Sequence, residues 1–166
     1  MYKRQLYKCQ TPAHAPNPDG TCAGPPFFAS NNLAVGAARF AEVGGFDESF
    51  PVAAGEDREF CDRWQAHGYQ LLLASDAVVR HAHALSLRTF WCQHMNYGRG
   101  AFLLRQARSR RGRAALGLER FWFYGRLVTY PVRAPGHRSA MRVMVLMLLS
   151  QVATALAFVR EWRRRA

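Results

Sequence analysis

Between Val143 and Val159 every residue except Ser150, Gln151 and Thr154 is apolar. Wound as a helix at 1.5 Å per residue, this stretch is about 25 Å long, marginal for a bilayer whose hydrocarbon core is about 30 Å thick. Arg138 and Arg142 precede it and Arg160, Arg163, Arg164 and Arg165 follow it, so flanking charge gives no clear orientation. A helix half sunk in the membrane interface, or buried against Phe121 to Tyr130, fits the pattern as well as a true span. Membrane association is the expectation, with the FWFYG run, Phe121 to Gly125, at headgroup level.

Charge divides the chain. Residues 1–86 carry 7 basic and 9 acidic side chains, net −2, and residues 87–166 carry 16 and 2, net +14, which together give the +12 of the 166-residue chain. With 49% hydrophobic residues there is enough for one ordinary core, and disorder is a poor description. Cys9, Cys22, Cys61 and Cys92 form no CxxC pair, which argues against a zinc ribbon or a disulfide scaffold and for a reducing compartment. Met1 to Gln10 has no apolar core, so no secretory leader is expected.

Five prolines and two glycines between Gln10 and Pro26 make residues 1–26 an irregular leader. Phe27 to Ala29 reads as a short strand that Leu33 to Val35 continue. Ala37 to Val43 reads as a helix stopped by Gly44 and Gly45. Phe46 is expected in the core beside that turn. A strong helix opens at Gly55, Glu56 and Asp57, runs to about His67 and closes at Gly68, with Phe60, Cys61 and Trp64 on its buried face. Tyr69 to Ala74 reads as a strand, Ser75 and Asp76 as a turn, and Ala77 to Val79 as a second strand leading to His81 and His83.

Glu56 and Asp57 occupy a first helical turn, where free N–H groups and the helix dipole favour an anionic carboxylate. Such a group suits a base that removes a proton from an attacking hydroxyl. Acids at helix starts are also ordinary stabilisers. His81 and His83, two apart, share one face of an extended strand; metal or phosphate contact and simple packing both fit. Cys9, His14 and Cys22 match no strong metal spacing.

In order, NNLAV (Asn31 to Val35), ARFAEVGGFDESF (Ala38 to Phe50), GEDREFCDRW (Gly55 to Trp64) and HGYQLLLASDAVVRHAH (His67 to His83) resemble the acceptor-side half of family 2 glycosyltransferases. The resemblance implies an α/β fold, a partial GT-A half (nucleotide-diphospho-sugar transferase), followed by an all-helical, membrane-associated C-terminal region. It implies inverting transfer of a sugar from a nucleotide-diphosphate donor to a hydroxyl of a glycan or lipid-linked acceptor, in cell-surface polysaccharide or glycolipid synthesis at the cytoplasmic face of the cell membrane. Asp57 would be the catalytic base and Glu56 its neighbour that positions the acceptor. Asn32, Gly45 and Asp47 would frame the donor and acceptor pocket, and His81 would contact a divalent cation, magnesium or manganese, or the diphosphate. The basic pair that usually follows the asparagine is absent here, with Arg39 displaced. The Asp-x-Asp half that completes the metal site is expected before Phe27, where residues 1–26 hold one acid, Asp19. The chain is thus expected to be an incomplete and, alone, inactive enzyme. Its parts would be the leader 1–26, the acceptor-side region 27–86, a basic helical region 87–137 and an apolar helix with a basic tail, 138–166.

Leu87 to Arg110 reads as broadly helical, with a kink or break at Gly98 and Gly100. The segment Gln93 to Gly100 also resembles this enzyme group, and Arg99 within it would reach a diphosphate or lipid-linked phosphate; a solvated helix arginine fits equally. Arg105 to Arg113 forms a basic run suited to anionic headgroups. A noncatalytic membrane-surface module, or a nucleic-acid-binding one using interleaved arginines and aromatics, is the rival reading. The acid-rich first half and apolar tail argue against nucleic acid as a partner.

Overall fold

Ala37–Val43 winds into α1, which ends because Gly44 and Gly45 both take left-handed backbone, φ 89° and 64°. The Gly44 amide returns to the Ala41 carbonyl and the Gly45 amide to that of Phe40, satisfying carbonyls that the helix end leaves over. The computed structural model describes residues 2–6, 27–72, 78–82, 84–113, 121–133 and 139–165. Among them, α1 is followed by α2 (Glu56–Ala66), α3 (Leu87–Arg110), α4 (Phe121–Arg133) and α5 (Ala140–Arg165), and a single 3-10 turn spans Ser30–Asn32. β1 (Tyr2–Leu6) and β2 (Val78–Ala82) pair antiparallel, with Tyr2 opposite Ala82 and Leu6 opposite Val78. The chain divides into two units, Met1–Pro51 with Gly55–Ala84, and Val52–Ala54 with Leu85–Ala166.

The core of the first unit is aromatic. Phe60, fully buried on α2, meets Phe40 of α1, Phe46 and Trp64 at ring separations of 5.2–5.8 Å, and Trp64 meets Tyr69 at 4.7 Å. Burying one such ring is worth about 1.5–3 kcal/mol, so α2 is held by its packed face more than by its own propensity. Phe46 lies at the edge of this cluster, 38% exposed, rather than inside it.

The α/β expectation is overturned here. Helices dominate the described residues, and the one strand pairing among them is the antiparallel β1–β2 ribbon; a parallel GT-A sheet is not formed. The reason lies in where the extended segments send their polar groups. Phe28 places its amide 3.4 Å from the Cys61 Sγ, and that thiol donates to the Phe28 carbonyl at 3.7 Å. The Trp64 indole donates to the Gln70 carbonyl at 3.0 Å. At Phe28 and Gln70 the extended segments thus bond to side chains of α2, tertiary contacts that β composition does not anticipate. Positions 73–77 and 83, and most of the leader with Cys9, His14 and Cys22, lie outside the described residues.

The second unit is helical. α3 starts at a capping box: Ser86 Oγ accepts from the Thr89 amide while Thr89 Oγ1 accepts from the Ser86 amide at 2.9 Å. It then runs unbroken to Arg110, so Gly98 and Gly100 do not interrupt it. They permit close approach. A Cβ on Gly98 would collide with the Thr154 carbonyl and the Ala157 methyl of α5, and one on Gly100 with the Ala54 carbonyl. Gaining that contact outweighs the roughly 1 kcal/mol helix penalty of a glycine.

Contacts climb both helices together, which makes α3 and α5 parallel. Thr154 Oγ1 donates to the His94 carbonyl, Phe102 meets Phe158 at 5.5 Å, and Arg165 reaches Gln106. The buried face of α5 is small, Ser150, Ala153 and Ala157, ending at Glu161. α4 packs against α5.

Candidate functional site

Glu56 and Asp57 are the first two residues of α2, and Gly55 before them takes left-handed backbone at φ 94°. Gly55 supplies no side-chain cap to this helix start, and the Asp57 carboxylate in the first turn meets one of its amides. Asp57 Oδ1 accepts from the Arg58 amide at 2.8 Å, and Oδ2 lies 3.4 Å from the Ser30 amide in the 3-10 turn. These two contacts use about half of a carboxylate's acceptor positions. Asp57 is half-buried, like Glu56 and Asn32, so it is oriented by backbone yet open to an incoming group.

The fold brings Asp57 to the Ser30–Asn32 turn through the Ser30 amide. Gly45 is tied instead to the far half of α2. Arg63 donates to the carbonyls of Val43 and Gly45, the latter at 2.6 Å, while its guanidinium is held by Glu59 at 2.8–2.9 Å. Arg63 lies six residues beyond Asp57, or about 9 Å along the helix. Asp47 accepts from the Ser49 amide at 2.9 Å, closing its own turn. His81 is on β2 opposite Lys3. Arg99 belongs to the second unit, where its Nε lies 3.3 Å from Glu161 Oε2.

Sequence reasoning missed the Glu59–Arg63 clamp. Glu59 is fully buried and Arg63 is mostly so, a pairing whose disruption strands a buried charge. Its i,i+4 spacing was the available signal. Arg58, on the same helix, stacks its guanidinium 4.0 Å from the Phe27 ring centroid, which helps hold the segment leading to the 3-10 turn. Beneath the site, burial pushes the Cys61 thiol above its ordinary range, and the charges of Asp57 and Asp62 add to this against the bond with Phe28.

Among the described residues no three His, Cys, Asp or Glu side chains converge as a metal would require. The chemistry below is assigned to the chain's own groups.

The model of glycosyl transferase family group 2 matches residues 21–160. That is most of the chain, and the chain belongs to this family. Its function is accordingly of the glycosyltransferase type. No match was found among curated proteins or among solved structures.

Proposed function

We propose that this chain carries the acceptor-activating part of an inverting glycosyltransferase that moves a sugar from a nucleotide-diphosphate donor to a hydroxyl at a membrane surface. The acceptor is a glycan or a lipid-linked sugar. Asp57 is the general base. It takes the hydroxyl proton as the oxygen attacks the anomeric carbon, the bond from that carbon to the diphosphate oxygen breaks, and the nucleoside diphosphate leaves. One displacement needs one base, so no covalent enzyme intermediate is required. Glu56 adds negative charge beside the base and orients the acceptor. Asn32 lines the same place through the Ser30–Asn32 turn, and His81 is assigned to the donor phosphates.

The observation that carries this reading, given the family, is the placement of Asp57: a half-buried carboxylate at an uncapped helix start, fixed by the Arg58 and Ser30 amides. A carboxylate used only to stabilise α2 would need no partner from the 3-10 turn. Membrane attachment is supported by α5, long and apolar enough to cross a bilayer, with most of its apolar window exposed.

The test, run with the donor-binding half supplied alongside this chain, is nucleoside diphosphate release from a panel of nucleotide-diphosphate sugars, compared between Asp57 and Asp57→Asn. Loss of turnover by about 10²–10⁴-fold is expected of a missing general base, with donor affinity by calorimetry unchanged. Undiminished turnover removes the assignment.

A further inference from the structure

Sequence left the polarity of the apolar helix open, because arginines flank it on both sides. The parallel packing of α3 and α5 decides the matter. Both helices end in arginine, and running side by side they deliver those ends to the same place, as Arg165 to Gln106 and Arg99 to Glu161 show. Arg105, Arg110 and Arg111 of one helix and Arg160, Arg163 and Arg164 of the other are exposed there. Glu161, 4% exposed, is the sole acid among the described residues of this unit, and it is already engaged by Arg99, Arg165 and Arg164 at 3.3, 2.8 and 3.9 Å. Its charge joins the two helices, and among the described residues the exposed arginines at this end outnumber it. At the opposite end the described arginines of the pair are Arg88 and Arg142.

A second observation concerns the outward face of α5. Met141, Val145, Leu148, Val152, Leu156 and Val159 are all more than 40% exposed. Their spacing of three and four residues makes one continuous stripe, opposite the Ser150, Ala153, Ala157 face turned to α3. Trp162, 55% exposed, stands where this stripe meets the arginines, the position an interfacial anchor takes.

We infer that the shared C-terminal end of α3 and α5 is a binding surface for anionic phospholipid, with the arginines on the headgroups and the α5 stripe against the acyl chains. This inference rests on the membrane reading above and adds a lipid class and a polarity to it. A stripe of this kind beside a strongly basic end matches a bilayer, which offers hydrocarbon and phosphate together. Nucleic acid offers phosphate and no hydrocarbon.

The test is co-sedimentation of the full chain with phosphatidylcholine vesicles and with vesicles of equal parts phosphatidylcholine and phosphatidylglycerol. Wild type should prefer the anionic vesicles. Combining Arg105→Gln, Arg110→Gln, Arg160→Gln and Arg163→Gln should weaken that binding by roughly 100-fold or more, while Arg88→Gln with Arg142→Gln leaves it near wild type. If the fourfold variant fails to fold, salt titration of wild type on the anionic vesicles takes its place, and steep loss is expected. Equal binding to both vesicle types overturns the inference and leaves the membrane reading standing. No binding to either, with the chain soluble without detergent, overturns the membrane reading itself. Displacement by inorganic phosphate would mean a free-anion site, and tighter binding to a single-stranded oligonucleotide than to anionic vesicles would mean nucleic acid; each contradicts the lipid assignment.

Discussion

The two units use the same electrostatic device on opposite kinds of packing. In the first, buried Glu59 holds Arg63 against the carbonyls that end α1; in the second, buried Glu161 holds arginines of α3 and α5. Around the first pair the large side chains, Phe60, Trp64 and Val43, turn inward. Around the second, the buried contact on α5 is made by Ser150, Ala153 and Ala157 against Gly98, and the large side chains of α5 other than Phe158 mostly face out. Small residues at a helix contact let backbones approach closely and leave bulky side chains for another neighbour. The proposed function uses this difference, with the chemistry in the first unit and the attachment in the second.

Removing a large ring should break the first unit most severely. Phe60→Ala deletes the centre of three aromatic contacts and should cost about 3–5 kcal/mol, read as lost hydrogen-exchange protection in α2. Protection along α3 and α5 that falls equally would show that the units do not differ in what holds them. In the second unit the corresponding lesion is an added side chain. Gly98→Val forces α3 from the Thr154 carbonyl and should cost about 1–3 kcal/mol, with exchange rising around His94 and Thr154; an unchanged profile would remove the close-contact role given to this glycine. The buried clamp itself is probed by Glu59→Gln, which should lower the urea midpoint of the first unit while vesicle binding is retained.

Reactivity gives a gentler comparison. Cys61 is buried and its thiol is held protonated, whereas Cys92 on α3 is exposed. Iodoacetamide at neutral pH should label Cys92 and spare Cys61, read by peptide mass spectrometry. Burial of Cys61 and the hydrogen bond from Tyr69 to Glu42, 2.7 Å long, raise the titration of both groups. A raised acid keeps its proton in the folded state where the unfolded chain has lost it, so the stability it contributes is whole below the unfolded value and drains away above it. The urea midpoint should therefore decline as pH rises past about 8.5–10, less so in Cys61→Ala.

Local signals in the sequence were read well where they were covalent or nearly so. Tandem glycine at 44 and 45 stops α1, and Gly55 through Gly68 brackets α2 with Phe60, Cys61 and Trp64 inward, as the spacing requires. What failed was tertiary. Gly98 and Gly100 look like breaks when only their own helix is considered, and become contacts once α5 and Ala54 are beside them. Phe27 to Ala29 and Tyr69 to Leu72 have strand composition, but the Cys61 thiol bonds Phe28 and the Trp64 indole the Gln70 carbonyl, contacts that only the fold reveals. The Arg99–Glu161 pair joins residues too far apart in sequence for any periodicity to reveal. Of the candidate site, the Glu56–Asp57 helix start was legible, and its link to the Ser30–Asn32 turn was visible only in three dimensions.

Chemical rescue tests the role of Asp57 most directly. With the donor-binding half supplied, replacing it with glycine leaves a space where a small carboxylate can stand, so added formate should restore nucleoside diphosphate release to Asp57→Gly in proportion to its concentration, with helix content equal to that of the unsubstituted protein. A correctly folded Asp57→Gly protein that formate never reactivates, or that turns over at the wild-type rate without it, would contradict the account.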